Sequence, residues 1–355
     1  MFIDNLLELK SFIEIIKENP KPVLIYGMGN GAEKIIKYLE TNDIQITDIF
    51  ASDEFVRGQC FLNYKVKTFK EAEKLYTDFY IVSAFALEGD KAELLFKISE
   101  KYKLFAPNLP PFDNACIDKK FIKNNIERLE RLYNNLSDEL SKNLFFDYLK
   151  YCITADVNYI KGEYDISPEK YFNHEFAHID VGAYDGDSVC DYIKYNRKYS
   201  IIFAVEPDKN TYKKLKTNTT HIPRIEYVNS AAWKANGTMK LDSKNSRASS
   251  LNMEGNIYTS TVTIDTLCKQ TTLNNNGYIT GSIKIDGEGA DKEILQGAVN
   301  VIYKYQPAMK ISTYHKSEDI LDIPEFMLYH NPKYKIYFRR KKYIPAFDTY
   351  LYFIP

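Results

Sequence analysis

Short apolar runs alternate with amphipathic stretches along most of this chain. Runs of four or five apolar residues, such as Val23–Tyr26 and Ile201–Val205, predict buried strands. Between such runs, apolar residues recur at three- and four-residue steps, as Ile35, Ile36 and Leu39 do, which predicts helices that bury one face. Strands that alternate with helices in this way are typical of an α/β fold with parallel sheets.

Three segments follow from this pattern. Residues 1–108 alternate strands with helices and predict a small Rossmann-like α/β domain. Residues 109–172 begin in a proline-rich break and continue as an amphipathic helical stretch, which predicts a helical linker. Residues 173–355 predict a second and larger α/β domain. A chain of 355 residues is long enough for two separate cores.

The last segment predicts a sheet of its own. Its predicted strands lie at residues 177–181, 201–205, 225–228, 282–286, 308–313, 334–338 and 349–353. A seven-stranded, Rossmann-like sheet whose last two strands form a hairpin is the layout of a class I methyltransferase. Between the third and fourth strands, the stretches 238–241 and 260–264 alternate in polarity and predict an inserted β-hairpin.

The loop after the first of these strands carries the strongest chemical signal. The stretch FAHIDVGAYDGDSV runs from a strand into Gly182 and Gly186 and then into a helix, and the next strand ends at Glu206. This pattern is typical of a nucleoside-binding βαβ unit. The pyrophosphate of a dinucleotide favours bare backbone N–H groups and a third glycine, whereas position 184 is Tyr. The carboxylates of this loop suit the cationic sulfonium and amino groups of S-adenosylmethionine better.

We therefore predict a site for S-adenosylmethionine in which Glu206 accepts hydrogen bonds from both ribose hydroxyls. Ser230 and the backbone of Ala231 follow the third strand, where they are expected to donate to the adenine ring. Trp233 packs beside that ring or belongs to the core. The predicted cofactor-binding residues are Asp180, Gly182, Tyr184, Asp187, Ser188, Glu206, Ser230 and Ala231.

A second group of polar residues follows the fourth and fifth strands. The stretch IKIDGEGADKEI brings Asp286 and Glu288 to the carboxyl edge of the sheet, where ligands of open α/β sheets bind. His315 follows the next strand, so we expect it beside these acids. His315 and Asp286 are the predicted catalytic residues, because a histidine with an ordinary pKa of about 6.5 can take the proton of a substrate hydroxyl.

Alternatives remain open for the same side chains. Asp286, Glu288 and His315 form a mixed oxygen and nitrogen donor set for a divalent metal, which suits Mn²⁺ or Fe²⁺ at least as well as Mg²⁺. A lone histidine is otherwise structural. Asp291 is expected to cap the N-terminus of the helix that follows.

The carboxy-terminal half of the chain resembles the FkbM family of S-adenosylmethionine-dependent methyltransferases. The resemblance lies in residues 180–188, Glu206, TIDTL at 263–267, residues 283–298 and the stretch YHKSEDILDIPEFM from Tyr314. It implies a class I fold and methylation of oxygen, with a sugar or polyketide-linked hydroxyl as acceptor. The amino-terminal segment is similar to small nucleotide-fold domains of bacterial sugar-modifying enzymes. Together these likenesses imply an O-methyltransferase that acts on a nucleotide-activated sugar or a surface-glycan precursor.

Composition narrows the expected partners. The formal net charge is -1 and the pI is near 6.6, which gives no electrostatic basis for binding nucleic acid or anionic lipid. The apolar runs are far shorter than the ~18 residues of a membrane span. Asp4 and Glu8 interrupt any signal-peptide pattern, so we expect a cytoplasmic protein. The five scattered cysteines form no C-x-x-C pair and are expected to be reduced thiols.

Two rival functions arise from other features. Gly27, Gly29 and Gly31, followed by Asp53, nearly match a dinucleotide-binding turn, which would make the protein an NAD-dependent oxidoreductase. Alternatively, both nucleotide folds are empty and the protein is a non-catalytic scaffold. The helical linker or the amino-terminal domain is the expected contact surface of a homo-oligomer.

Overall fold

The computed structural model of the protein describes residues 2–110, 116–162, 172, 175–242, 250–251, 257–273 and 279–355. The chain divides into two compact units. The first unit comprises Met1–Tyr133, Glu139–Tyr164 and Arg340–Asp348. The second comprises Asn134–Asp138, Asp165–Arg339 and Thr349–Pro355. Within the described ranges, no helix combines the length and the apolar character that crossing a bilayer requires.

The first unit alternates strands with helices, as its sequence pattern predicts. Its strands are β1 (Val23–Tyr26), β2 (Asp48–Ala51), β3 (Cys60–Phe61), β4 (Tyr64–Lys65), β5 (Lys67–Thr68), β6 (Tyr80–Ser83), β7 (Leu87–Glu88) and β8 (Lys103–Phe105). Its helices are α1 (Phe2–Glu8), α2 (Phe12–Glu18), α3 (Asn30–Thr41), α4 (Phe69–Leu75), α5 (Glu93–Lys101), α6 (Lys119–Asn124), α7 (Ile126–Asn135) and α8 (Glu139–Thr154). Helices α6 to α8 occupy the stretch predicted as a helical linker.

A five-stranded parallel sheet organises this unit, in the order β5-β2-β1-β6-β8. Strand β1 is buried along its whole length, because Val23 and Ile25 pack in one core cluster with Ile35 and Leu39 of α3. The turn between β1 and α3 contains glycines with positive φ angles, as a tight entry into a helix requires. The spacing of apolar residues in the sequence therefore predicts both elements correctly.

The second unit has its own set of strands. They are β9 (Ala177–Val181), β10 (Ile202–Val205), β11 (Ile225–Val228), β12 (Ala231–Ala232), β13 (Gly237–Asp242), β14 (Ser250–Leu251), β15 (Ile257–Val262), β16 (Thr280–Ile285), β17 (Ala308–Ser312), β18 (Lys335–Arg340) and, after β19 (Tyr343–Ile344) in the first unit, β20 (Thr349–Ile354). Its helices are α9 (Asp187–Tyr195), α10 (Lys209–Thr219), α11 (Ile264–Leu273), α12 (Asp291–Gln296), α13 (Val299–Tyr305) and α14 (Asp319–His330).

A seven-stranded sheet forms the centre of the second unit, in the order β11-β10-β9-β16-β17-β20-β18. Strands β9, β10, β11, β16 and β17 pair in parallel, and β20 runs antiparallel to β17. The predicted seven-stranded sheet is thus present. Its order reverses between β9 and β16, and the crevice at such a reversal is where open α/β sheets bind ligands.

The inserted hairpin is also present, with one shifted boundary. Strand β13 pairs antiparallel with β15, in a separate sheet that includes β12 and β14. The predicted strand 260–264 extends two residues too far, because β15 ends at Val262 and α11 begins at Ile264. Thr263 ends the strand because its Oγ1 accepts a hydrogen bond from the backbone N–H of Thr266, as an N-cap does.

Candidate functional site

The glycine loop between β9 and α9 has the backbone that a tight ligand-binding turn needs. Gly182 has a φ of +70° and Gly186 a φ of +97°, and Tyr184 adopts a left-handed conformation with a φ of +46°. A Cβ at Gly182 would lie 2.1 Å from the carbonyl oxygen of Asp286, so this position admits only glycine. The loop therefore lies directly against the chain that leaves β16.

Asp180 lies beneath the loop, with its carboxylate fully buried. It accepts a hydrogen bond of 2.6 Å from the hydroxyl of Ser188, in the first turn of α9. Its Oδ1 lies 3.2 Å from Nζ of Lys284. These contacts tie the end of β9 to the start of α9. Asp187, by contrast, is exposed at the first position of that helix.

Glu206 joins the second strand to the loop, as the sequence analysis expects of an acid in this position. The residue follows β10, is 7% exposed, and accepts hydrogen bonds from the backbone N–H groups of Tyr184 at 3.2 Å and Asp208 at 2.8 Å. Burial raises its pKa to about 7. Each carboxylate oxygen has two lone pairs, so both oxygens can still accept a further donor.

The end of the third strand lies next to Glu206. Asn229 donates its side-chain amide to the Glu206 carbonyl oxygen at 2.9 Å, a contact that the sequence analysis does not foresee. Ser230 is half-buried, and its hydroxyl lies 2.7 Å from that of Ser260. Ala231 is buried in β12, where it pairs with Thr261 of β15. The residues predicted for the adenine ring thus follow β11 at the same sheet edge.

Asp286 and Glu288 leave the carboxyl end of β16 in the turn that leads into α12. Glu288 has a φ of +50° and the following Gly289 a φ of +86°, which turns the chain sharply. The Asp286 side chain is 20% exposed and that of Glu288 is 32% exposed. The hydroxyl of Tyr314 donates to Oδ1 of Asp286 at 3.3 Å.

His315 lies between these acids and a third one. Its ring is fully buried; Nδ1 lies 2.9 Å from Oδ2 of Asp291, and Nε2 lies 3.3 Å from Asp286 and 3.6 Å from Glu288. Asp291 also accepts a hydrogen bond from the backbone N–H of Gly287 at 2.8 Å. The capping role expected of Asp291 is therefore wrong, because Ala290 is the N-cap of α12 and Asp291 is the first residue of the helix itself. His315 follows β17, as its sequence position predicts, but its contact with Asp291 is not predicted from the sequence.

Burial and neighbouring charges set the protonation of this cluster. Burial alone lowers the pKa of His315, but the charge and hydrogen bond of Asp291, together with Asp286 and Glu288, raise it to about 9. Burial raises the pKa of Glu288 to about 8. Burial acts in the same direction on Asp286, but Lys284 and His315 outweigh it and hold its pKa below the ordinary value. At neutral pH the cluster therefore contains a charged imidazolium and an ionised Asp286.

The prediction of a metal centre at Asp286, Glu288 and His315 is not supported. Within the described residues, no group of three or more His, Cys, Asp or Glu side chains has the arrangement that would hold a metal ion. With a pKa of about 9, the His315 ring holds its proton at neutral pH, and a metal would have to displace that proton in order to bind Nε2. The carboxylates around it bind a proton-bearing ring instead.

Lys284 is the site residue that the sequence analysis overlooks. It lies inside β16, and its ammonium donates to the carbonyl oxygens of Gly182 at 2.7 Å and Val181 at 3.2 Å. Its signal in the sequence is a single cation between the apolar residues Ile283 and Ile285. A lysine in a buried parallel strand needs partners, and that requirement could have identified it.

The glycine turn of the first unit packs against an aromatic ring, whereas the glycine loop of the second unit packs against a backbone carbonyl. A Cβ at Gly27 would lie 2.7 Å from the ring of Phe85, which therefore packs against this turn. Asp53 is exposed in the turn after β2, and Arg57 is exposed in the same loop. Gly29 has open space around its Cβ position. Binding of NAD at this turn stays a prediction.

The structure thus places a glycine loop and a group of acids together at the carboxyl edge of a seven-stranded α/β sheet. The model of the methyltransferase FkbM domain matches residues 180–336 of this chain. This match spans the glycine loop, Glu206, Asp286 and His315. The resemblance drawn from the sequence is therefore confirmed for residues 180–336.

Solved structures extend the likeness to the rest of the chain. The methyltransferase FkbM from Methylobacillus flagellatus KT aligns with a TM-score of 0.72 and 19% identity, over 99% of this chain and 97% of that one. At this identity the match shows a shared fold. A search of curated proteins gives no significant match.

Two further structures align with about half of the chain. Aeropyrum pernix fibrillarin bound to S-adenosyl-L-methionine gives a TM-score of 0.32 and 8% identity, over 51% of this chain and 67% of that one. An rRNA methylase from Streptococcus thermophilus gives a TM-score of 0.33 and 7% identity, over 52% of this chain and 89% of that one. Scores this low carry no inference about function.

Proposed function

We propose that the protein is an S-adenosylmethionine-dependent O-methyltransferase that acts on a sugar hydroxyl. The observation that carries this proposal is the contact between the glycine loop and the acidic turn, because Gly182 packs against the carbonyl of Asp286. A cofactor held by the loop and an acceptor held by the acids would then be neighbours. Proximity of the two reactants supplies most of the rate enhancement in such a transfer.

The residues of the loop fit S-adenosylmethionine. Glu206 retains acceptor capacity for the ribose hydroxyls, and the half-buried Ser230 and the backbone of Ala231 would hold the adenine. Carboxylates outnumber cations at this edge, which favours a positively charged ligand. S-adenosylmethionine supplies an electrophilic methyl group on a cationic sulfur.

Asp286 is the proposed acceptor of the hydroxyl proton at neutral pH. It is ionised and partly exposed, whereas His315 is protonated and fully buried. As the new bond between oxygen and carbon forms, the hydroxyl proton becomes strongly acidic, so a carboxylate is a sufficient base. The proton then passes to Asp286 while His315 holds that carboxylate in place. Above a pH of about 9, His315 loses its proton and could itself act as the base.

A sugar hydroxyl as acceptor is supported by the family resemblance and by the groups around Asp286. Tyr314 and Glu288 border that carboxylate, and burial raises the pKa of Glu288 to about 8, so that it carries a proton at neutral pH. A phenol, a protonated acid and a carboxylate form hydrogen bonds to neutral polyols. Nucleotide-activated sugars and glycan precursors are therefore the substrates to test first.

Calorimetry and mass spectrometry together test the proposal. The protein should bind S-adenosylhomocysteine and not NAD, and one member of a panel of sugar nucleotides should gain 14 Da, about one CH₂ group, from the methyl donor. Asp286→Asn should abolish transfer and leave the affinity for S-adenosylhomocysteine within about threefold. His315→Ala should lower turnover with the same retention of affinity. Binding of NAD alone would favour the oxidoreductase, and binding of neither ligand would favour the scaffold.

A further inference from the structure

Lys284 is a charged residue in the interior of a buried parallel strand. Its neighbours in β16, Ile283 and Ile285, are fully buried, and its own side chain is only 9% exposed. Moving an ammonium group out of water costs several kcal/mol, so such a lysine is retained only where its partners compensate for that cost. The partners of Lys284 therefore indicate what it does.

Those partners belong to both halves of the proposed site. On the cofactor side, Nζ donates to the carbonyl oxygens of Val181 and Gly182 and lies 3.2 Å from Asp180. On the acceptor side, it lies 4.0 Å from Oδ2 of Asp286. Burial lowers the pKa of Lys284, but Asp180 and Asp286 outweigh burial and raise it, so the ammonium stays charged.

We propose that Lys284 is a positioning residue of the methyl-transfer site, which fixes the Gly182 carbonyl beside Asp286 and balances the negative charge beneath the cofactor. This inference rests on the proposed function. One cation shared between Asp180 and Asp286 limits the attraction of the site for a cationic ligand. Because the sulfonium loses its charge when the methyl group leaves, this balance governs how tightly substrate and product cofactors are held relative to each other.

A purely structural lysine would behave differently when replaced. Loss of its hydrogen bonds would loosen the glycine loop and weaken the binding of S-adenosylmethionine and S-adenosylhomocysteine by the same factor. Loss of its charge would instead favour the cationic ligand over the neutral one. The ratio of the two affinities therefore separates the two roles, without any measurement of turnover.

The test uses Lys284→Met and Lys284→Gln, which remove the charge, and Lys284→Arg, which keeps it. Lys292→Met is the matched control, because Lys292 pairs with Asp322 on the neighbouring helices at 2.6 Å. Calorimetry with both ligands at neutral pH should show that the preference for S-adenosylmethionine rises on the order of tenfold in the two neutral variants. The ratio should stay within about twofold of the parent protein in Lys284→Arg and Lys292→Met.

Other outcomes overturn the proposal. Equal weakening of both ligands in the neutral variants would make Lys284 structural, as would loss of a cooperative thermal transition in both of them. A shifted ratio in Lys284→Arg would show that size, and not charge, matters. If the parent protein binds neither ligand, the proposed function itself fails, which is distinguishable from a failure of the Lys284 inference alone.

Discussion

Replacing Asp291 with asparagine should lower the pKa of His315. The carboxylate of Asp291 lies 2.9 Å from Nδ1 of the ring, and both side chains are fully buried. Burial alone would lower the pKa of the ring, so the neighbouring acids supply the entire rise from 6.5 to about 9. That rise corresponds to roughly 3 kcal/mol in favour of the charged ring. Asp291 is the nearest acid and its strongest partner, so Asp291→Asn should lower the pKa by at least about one unit.

The same change should alter how stability depends on pH. A histidine whose pKa is raised on folding stabilises the native state fully below its unfolded pKa of 6.5, and that contribution is lost as the pH rises through about 9. The parent protein should therefore lose stability between pH 6.5 and 9 through His315. In Asp291→Asn this decline should be smaller and should end at a lower pH.

Nitrogen-detected NMR of the imidazole rings measures the titration directly, since the chain has only five histidines. Urea unfolding at a series of pH values measures the stability. Asp322→Asn is the matched control, because Asp322 pairs with Lys292, whereas the acids that raise the pKa of His315 are Asp291, Asp286 and Glu288. The reasoning is refuted if His315 still titrates near pH 9 in Asp291→Asn.

Three other residues give predictions of the same kind. Glu206→Ala should weaken the binding of S-adenosylhomocysteine roughly 10- to 100-fold in calorimetry above the Glu206 pKa of about 7, because hydrogen bonds to a charged group contribute about 1.5–3 kcal/mol; unchanged affinity would remove Glu206 from the site. Gly182→Ala should lower the free energy of unfolding by roughly 2–4 kcal/mol through backbone strain and the contact with Asp286, whereas Gly237→Ala, whose nearest atom is at 3.7 Å, should be nearly neutral; equal losses would contradict this account. Burial lowers the pKa of His178 to about 4, so its contribution to stability should fall as the pH drops from 6.5 to 4, by up to roughly 3 kcal/mol; His178→Gln should flatten that part of the urea-unfolding profile, and an identical profile would exclude the effect.

Much of the second unit could be predicted because its signals are local. Each signal lies within a few residues of the element that it defines. These signals are the turn glycines Gly182 and Gly186, the apolar run that precedes each strand end, and the acid at Glu206. Backbone conformation and the burial of one face are determined over such short distances. The sequence by itself therefore determined the strands, the glycine loop and the order of the acids.

The partners of those residues were decided only by the tertiary structure. Asp291 is 24 positions from His315, and Lys284 is 102 positions from Gly182, so no local pattern joins them. The protonation of the cluster depends on these pairings, because desolvation and nearby charges set each pKa and both arise only when the strands are assembled. For this reason the sequence predicted a neutral histidine base or a metal centre, whereas the folded protein holds an imidazolium between carboxylates, and a buried lysine links the acidic strand to the glycine loop.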